Sequence, residues 1–351
     1  MMQLYHRHRS RGKHVPSVTL AVIAGLLIGA ATSGPLESQS PELSMRDFSS
    51  GQIKKGVRSI GFGGDGATWG NYALVWKDTS TALVDYGDTQ YGNGNAFHFA
   101  AVGLTSPALW HGLAVYVVAL AQGTNQVHFD TKSSSLVGSG SDHAIFSKIA
   151  MPIAAGLSAG ILLAYETSGF DAAPQGGADS VHYETRWRPS GGFGVTWQPN
   201  TIILIGFRAL LNRDLDRRSD STGATEGTAR SNEYRLGLSA SPWAGALLDA
   251  GGTWLTRSNT RTATHTSEVE PNLGFEQTLA EKHLAVRLGL DETSPTAGLT
   301  FRIAPCRLDL AYVRNMASSR VQTLFGRTSN SGIATFTLDY GGLLYRSFHS
   351  E

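Results

Sequence analysis

Over much of its second half this chain alternates apolar and polar residues with a period of two. Tyr234, Leu236, Leu238 and Ala240 interleave with Glu233, Arg235, Gly237 and Ser239. Ala246, Leu248, Ala250 and Trp254 interleave with Asp249, Gly251 and Thr253. The same pattern sets Leu284, Val286, Leu288 and Leu290 against Ala285, Arg287, Gly289 and Asp291, and Ala297, Leu299, Phe301 and Ile303 against Gly298, Thr300 and Arg302. It returns at Leu308, Leu310 and Tyr312 and again at Ala334, Phe336, Leu338 and Tyr340. Period two places each set on one face of a strand. Most segments run about 9–11 residues, the length of a tilted strand that crosses a bilayer.

Connections alternate as well. Pro199-Asn200, Pro242 to Gly245, Ala280 to Lys282 and Pro305-Cys306 read as short turns. Asn212 to Ser231, Arg257 to Val269 and Met316 to Asn330 read as long polar loops, and Glu292 to Pro295 as a short exception. Short turns at one end and long loops at the other predict an all-β fold: a transmembrane antiparallel up-and-down β-barrel with periplasmic turns and extracellular loops. About nine strands fit between the one ending at Trp197 and the one ending at Tyr340. Tyr72–Tyr86, Asn95–Leu104, Gly112–Gln122, Phe146–Ala154 and Leu157–Thr167 supply the rest, with loops at Gly87–Gly94 and Gly123–His143. The total is about fourteen, an even number as in bacterial single-chain barrels.

Two segments depart from clean alternation. IAMPIAAGLSAGILLAY, from Ile149 to Tyr165, is continuously apolar, but Pro152, Gly156 and Gly160 predict a hairpin rather than a membrane helix. LAVYVVALA, from Leu113 to Ala121, is apolar on both faces. Its inward face is expected to pack part of the lumen shut or to line it for a hydrophobic passenger.

The N-terminus changes the picture from barrel to exported barrel. His6, Arg7, His8, Arg9, Arg11 and Lys13 precede the apolar run VTLAVIAGLLIGAA and the small residues Ala31 to Ser33. This is the layout of a signal peptide over residues 1–33, with cleavage after Ala31 or Ser33. Residues 34–55 read as a periplasmic lead-in, 56–340 as the barrel and 341–351 as a C-terminal tail. Localisation in the bacterial outer membrane follows, with membrane lipid as the surrounding partner.

Composition adds exclusions. Charged residues make up 16% of the chain and formal net charge is +1, so no strong field draws it to nucleic acid. The single cysteine, Cys306, leaves no intramolecular disulfide. Eleven histidines are scattered without metal-ligand spacing, and the run from Asn212 to Asp220 lacks the glycine and glutamate of a calcium loop. No metal and no cofactor are expected.

Two motifs mimic enzymes. Gly156-Leu157-Ser158-Ala159-Gly160 matches G-x-S-x-G, whose serine needs a strained strand-to-helix turn, but a strand-like stretch follows it here. Gly61, Gly63 and Gly66 match the dinucleotide fingerprint, yet Trp69, Gly70 and Tyr72 make a poor helix start. Gly61, Gly63, Gly64 and Gly66 are expected instead to let residues 56–70 bend into the barrel as a plug or constriction. No catalytic residue is expected. The inward positions that carry charge are Arg208, Glu233, Arg235, Asp249, Arg287, Asp291, Arg302, Asp309 and Asp339. They either fill the interior as paired charges or line a solute path.

These residues also resemble a family. RLGLD from Arg287 to Asp291, TAGLTFR from Thr296 to Arg302 and DLAY from Asp309 to Tyr312 resemble the C-terminal strands of PorV/PorQ-type outer-membrane proteins, relatives of the FadL-type transporters. IAMPIAAGLSAGILLAYETSGF resembles the mid-barrel hairpin of that family, and GVRSIGFGG its opening glycine-rich segment. FadL-like membership implies a channel for small hydrophobic solutes. PorV-like membership implies a non-conducting scaffold or shuttle whose partner is a secretion-system protein. An outer-membrane hydrolase built on Ser158 is a third, remote reading.

Overall fold

The computed structural model describes residues 72–73, 81–91, 96–106, 113–130, 135–174, 180–280, 283–291, 294–314 and 329–339. All of them fall in Leu36–Glu351, the second of two compact units. The expected signal peptide, lead-in, glycine plug and C-terminal tail lie outside the described residues.

Among the described residues fourteen strands follow one another in chain order. They begin with β1 (Thr81–Tyr91), β2 (Ala96–Ser106), β3 (Ala114–Asp130), β4 (Ser135–Ala154) and β5 (Leu157–Pro174). Next come β6 (Val181–Trp197), β7 (Ile203–Asp220), β8 (Gly223–Ala240), β9 (Ala246–Asn259) and β10 (Thr264–Leu279). β11 (Leu284–Asp291), β12 (Ser294–Ile303), β13 (Cys306–Arg314) and β14 (Ser329–Asp339) complete the order. Each strand pairs antiparallel with its neighbours, and β1 pairs with β14 from Thr81↔Asp339 to Tyr91↔Ser329, which closes the barrel. Closure leaves no open sheet edge for lipid to desolvate.

Alternation sorts the two faces. Val84, Val102, Val117, Ile145, Leu163, Phe207, Leu236, Leu288, Leu299 and Phe336 are exposed on the outside, while their neighbours in sequence turn inward. Aromatics sit on the same outer face: Tyr86, Tyr165, Trp254 and Tyr312 towards one end, Trp197 and Trp243 at the other. An apolar band between aromatic girdles is the surface that a bilayer selects.

Connections after β4, β6, β8, β10 and β12 are two to five residues long and share one end, the turn end. The continuously apolar run forms the β4–β5 hairpin, turning at Ala155-Gly156. Gly156 takes φ +74°, its carbonyl accepts from the Gln198 amide at 2.7 Å, and a Cβ there would collide with the Gln198 carbonyl. Gly156→Val is therefore expected to cost at least about 1–2 kcal/mol, the penalty of a left-handed side chain. Urea unfolding of the refolded barrel checks this.

Four expected loops are instead strand. At the loop end β3 to β10 extend well past the apolar band, at 14 to 20 residues each. Gly123–His143 keeps pairing up to Asp130↔Ser135, and Asn212↔Ser231 continues to Asp220↔Gly223 around Ser221 and Thr222. Arg257–Val269 pairs up to Asn259↔Thr264, and Gly87 still pairs with Phe99 and Ile333. Above the membrane both faces are wet, so the apolar half of the alternation disappears while the backbone ladder continues. The expected first strand is corrected at its beginning, where Tyr72 and Ala73 form a turn, and β1 is described from Thr81 to Tyr91.

Register shifts in β3, between Thr124 and Val127, and in β6 reverse the faces. Pairing of β6 with β7 stops at Thr185↔Asp216 and resumes at Gly191↔Leu211, so β6 holds one residue more than β7 across the gap. Below it Ser190 and Thr196 are buried on the inner face. Above it His182 is on the outside, bonded through Nδ1 to exposed Asp171 at 2.7 Å, and Tyr183 faces Arg261. A single bulge residue produces this switch.

Candidate functional site: the barrel interior

Inner positions of the first strands are apolar where most barrels carry polar side chains. Ala101 of β2, Val118 and Leu120 of β3, Ala144 and Phe146 of β4, Leu162 and Ala164 of β5 and Leu210 of β7 form one buried cluster. Tyr72 completes that cluster at 4% exposure, and Ala73 beside it is fully buried. The inner wall is shaped to receive them. A Cβ on Gly160 would collide with the Tyr72 carbonyl oxygen, and one on Gly192 would sit 2.6 Å from Tyr72 Cε2. Only glycine at these two wall positions lets backbone and ring approach so closely.

Cations surround the ring. Lys148 Nζ lies 5.6 Å from the Tyr72 centroid and 5.3 Å from that of Tyr116, and Arg208 Cζ lies 5.4 Å from Tyr72. Such contacts are worth about 0.5–2 kcal/mol, more where water is excluded. Arg208 and Arg235 stand directly opposite each other on β7 and β8 and share Glu233. Arg208 Nη2 donates to Glu233 Oε1 at 3.0 Å, and Arg235 Nε donates to the same oxygen at 2.6 Å. One carboxylate thus holds two guanidiniums beneath the apolar cluster.

Across the barrel a polar belt lines the wall. Arg287 of β11 is fully buried; its Nε donates to Glu276 Oε2 at 2.7 Å and its Nη2 to Asp309 Oδ1 at 3.3 Å. Thr300, on the strand between, bonds to both Arg287 and Asp309. Arg307 Nε reaches Asp309 Oδ2 at 2.7 Å. Asp309 and Asp85 flank Thr335 in register, which carries the belt onto β14 and β1. At its other end Asp249 bonds to Ser239 and accepts from Asn272 Nδ2 at 3.3 Å.

All nine charged residues expected inward hold inner-face positions, but they do not form one site. Arg208, Glu233 and Arg235 meet beside Tyr72; Arg287, Asp309 and Asp249 belong to the belt. Asp291 stands at the loop end of β11, and Arg302 and Asp339 stand near the turn end. Lys148, Glu276, Arg307 and Asp85 join the interior without having been expected there. Extending the period of two by one step finds Lys148 from Ala144 and Phe146, and Arg307 from Asp309 and Ala311. No such signal marks Tyr72, which lies in no strand. Near the loop end, Asp216 binds Arg261 Nε at 2.9 Å and Asn259 Nδ2 at 2.6 Å.

Directly above the Tyr72 cluster, on the loop side, is a pocket with about 260 Å³ of empty space, part of it open solvent. Phe97, Gln122, Thr124, Asp142, Ser168 and Phe170 contribute its inward side chains. Gly140 accommodates the Phe170 ring, since a Cβ there would lie 2.6 Å from Phe170 Cδ2. Ser158 is an interior residue of β5, paired with Pro152 and Thr196. It occupies no strand-to-helix turn, so the elbow that G-x-S-x-G requires is not formed.

With the closed antiparallel barrel and its interior described, solved barrels of similar fold can be set beside it. A TodX monoaromatic hydrocarbon channel mutant matches with TM-score 0.50 at 12% identity, covering 81% of this chain and 98% of that one. The Pseudomonas putida toluene transporter TodX matches with TM-score 0.52 at 10% identity, over 80% and 97% of the two chains. A Pseudomonas aeruginosa FadL homologue matches with TM-score 0.50 at 13% identity, over 80% and 95%. The chain has the barrel fold of these structures. By sequence alone no protein-family model and no curated protein matches it. At 10–13% identity the shared fold is reached here through a different set of residues, and these likenesses do not show a PorV-type protein in particular.

Proposed function

We propose that this chain is an outer-membrane channel for small hydrophobic solutes, with its short turns in the periplasm and with Tyr72 at its internal constriction. The observation that carries the reading is the apolar inner wall of β2 to β5 and β7 gathered around Tyr72. A water-filled pore has no use for such a surface, whereas an apolar solute can replace the tyrosine against it without an unmatched polar group. The pocket above gives the solute a first place to rest. Similarity to a toluene transporter and to a monoaromatic hydrocarbon channel supports the same class of cargo. No catalytic role is assigned to Ser158.

Liposome flux tests the proposal. Vesicles containing the full chain are expected to admit toluene-sized aromatics faster than sugars of equal size. Flux of neither, from correctly folded protein, overturns the channel reading. A second reading, a non-conducting scaffold for a secretion-system protein, is favoured by the tight packing of Tyr72 between Gly160, Gly192, Lys148 and Arg208. Absence of flux together with co-purification of a secretion component would select it.

A further inference from the structure

On the outer surface, Arg213 of β7 stands directly opposite Arg230 of β8. Both are exposed, between inward-facing buried neighbours Asn212, Ala229 and Ser231. Like charges in direct cross-strand register are unfavourable unless something between them carries the opposite charge. The surrounding outward positions are Leu211, Leu215, Thr228 and Asn232, so among the described residues no carboxylate lies across from or diagonal to the pair. Four residues further from the membrane the situation differs. There Arg217 faces Glu226, with Nε 3.5 Å from Oε1, and Glu184 also approaches it. The same pair of strands thus neutralises one arginine with protein and leaves two to be neutralised by something else.

Height identifies what that is. Arg213 is ten residues from Ile203 and Arg230 is ten residues from Ala240, the turn-end limits of their strands. At about 3.3 Å per residue and a tilt of about 40°, that places both about 25 Å up, the top of the apolar band. Leu211 lies just below Arg213 on the same face, and Tyr234 lies below Arg230, packed on Trp254 with ring centroids 5.7 Å apart. Register then continues the row sideways from Arg230 to Ser258 and from Ser258 to exposed His265. A basic row immediately above an aromatic girdle, facing away from the lumen, meets the headgroup layer and not bulk water.

We propose that Arg213 and Arg230 clamp a phosphate of an outer-leaflet lipid, with Ser258 and His265 flanking it. Guanidiniums bind phosphate oxygens in a bidentate fork, and a phosphate between the two removes their mutual repulsion. The partner is a phosphorylated glycolipid of the outer leaflet, held by headgroup and acyl chains together. This rests on the outer-membrane placement proposed above, but its test does not use flux.

Full-length protein in detergent is incubated with bisphosphorylated lipid A, with the same lipid after phosphate removal, or with inorganic phosphate, and bound lipid is counted by native mass spectrometry. Bisphosphorylated lipid A is expected to bind at least about tenfold more tightly than its dephosphorylated form. The Arg213→Gln, Arg230→Gln double variant is expected to lose that advantage, while Arg217→Gln retains it. Equal retention of the two lipids by the wild-type protein overturns the proposal, even if the double variant fails to fold. So does inorganic phosphate competing as well as lipid A at equal concentration, or unchanged retention in a folded double variant. A chain absent from outer-membrane fractions would sink the placement without altering the detergent result.

Discussion

Replacing Gly160 by alanine is expected to raise solute flux through the barrel by about 5- to 150-fold. The new methyl would occupy the space of the Tyr72 carbonyl oxygen. Overpacking of this kind costs about 1–3 kcal/mol, and that difference, applied between an occupied and a vacated lumen, is the stated factor. The strand itself loses nothing by the change, because alanine is tolerated in a ladder and Gly160 keeps its partners Ala150 and Gly194. Tyr72→Ala should act in the same direction by removing the ring that Lys148 and Arg208 approach. Gly332→Ala serves as the control, since a Cβ there meets nothing within 4 Å. If folded Gly160→Ala protein conducts no faster than wild type, Tyr72 is not what closes the lumen.

Stability should respond most to Arg287. With the guanidinium gone, Glu276 at 5% exposure and Asp309 at 1% would lose the cation they share, and Asp309 would keep Arg307. Removing one partner of a buried ion pair costs about 3–5 kcal/mol, largely because the other charge stays buried. Arg287→Met is therefore expected to lower the unfolding free energy in urea by about that amount. Arg287→Lys should recover little of it, since an ammonium cannot reproduce a fork that reaches Glu276, Thr300 and Asp309 at once. Neutralising all three positions together, by combining Arg287→Met with Glu276→Gln and Asp309→Asn in one chain, should restore most of the loss. A single Arg287→Met change costing under about 1 kcal/mol would show that the belt is not a coupled unit.

The barrel was legible in the sequence because lipid imposes its own pattern. Leu236, Leu288 and Phe336 face hydrocarbon, and Arg235, Arg287 and Thr337 between or beside them face the lumen. Fourteen strands and the turn at Gly156 followed from that alternation and from small residues at the turn end. Strand ends did not, since above the apolar band Arg217 and Glu226 pair with polar residues on either side and the pattern carries no further information. Charges of the interior were found where the alternation was followed, as at Arg208 and Asp309, and missed where an apolar run hid it, as at Lys148. Tyr72 was beyond reach for a different reason. Its place depends on Gly160 and Gly192, some 90 to 120 residues away, and no local pattern encodes a contact with two distant glycines.

The extra residue in β6 works like a frameshift in a message that is read two letters at a time. Downstream of it, even-numbered residues such as Thr196 belong to the inside; upstream, even-numbered His182 belongs to the outside. Deleting one residue between 186 and 190 would put the strand back into a single frame. Tyr183 would then leave Arg261 for the exterior, while His182 would part from Asp171 and turn inward. A one-residue deletion here is thus a far larger edit than any substitution, because it exchanges the inner and outer surfaces of half a strand.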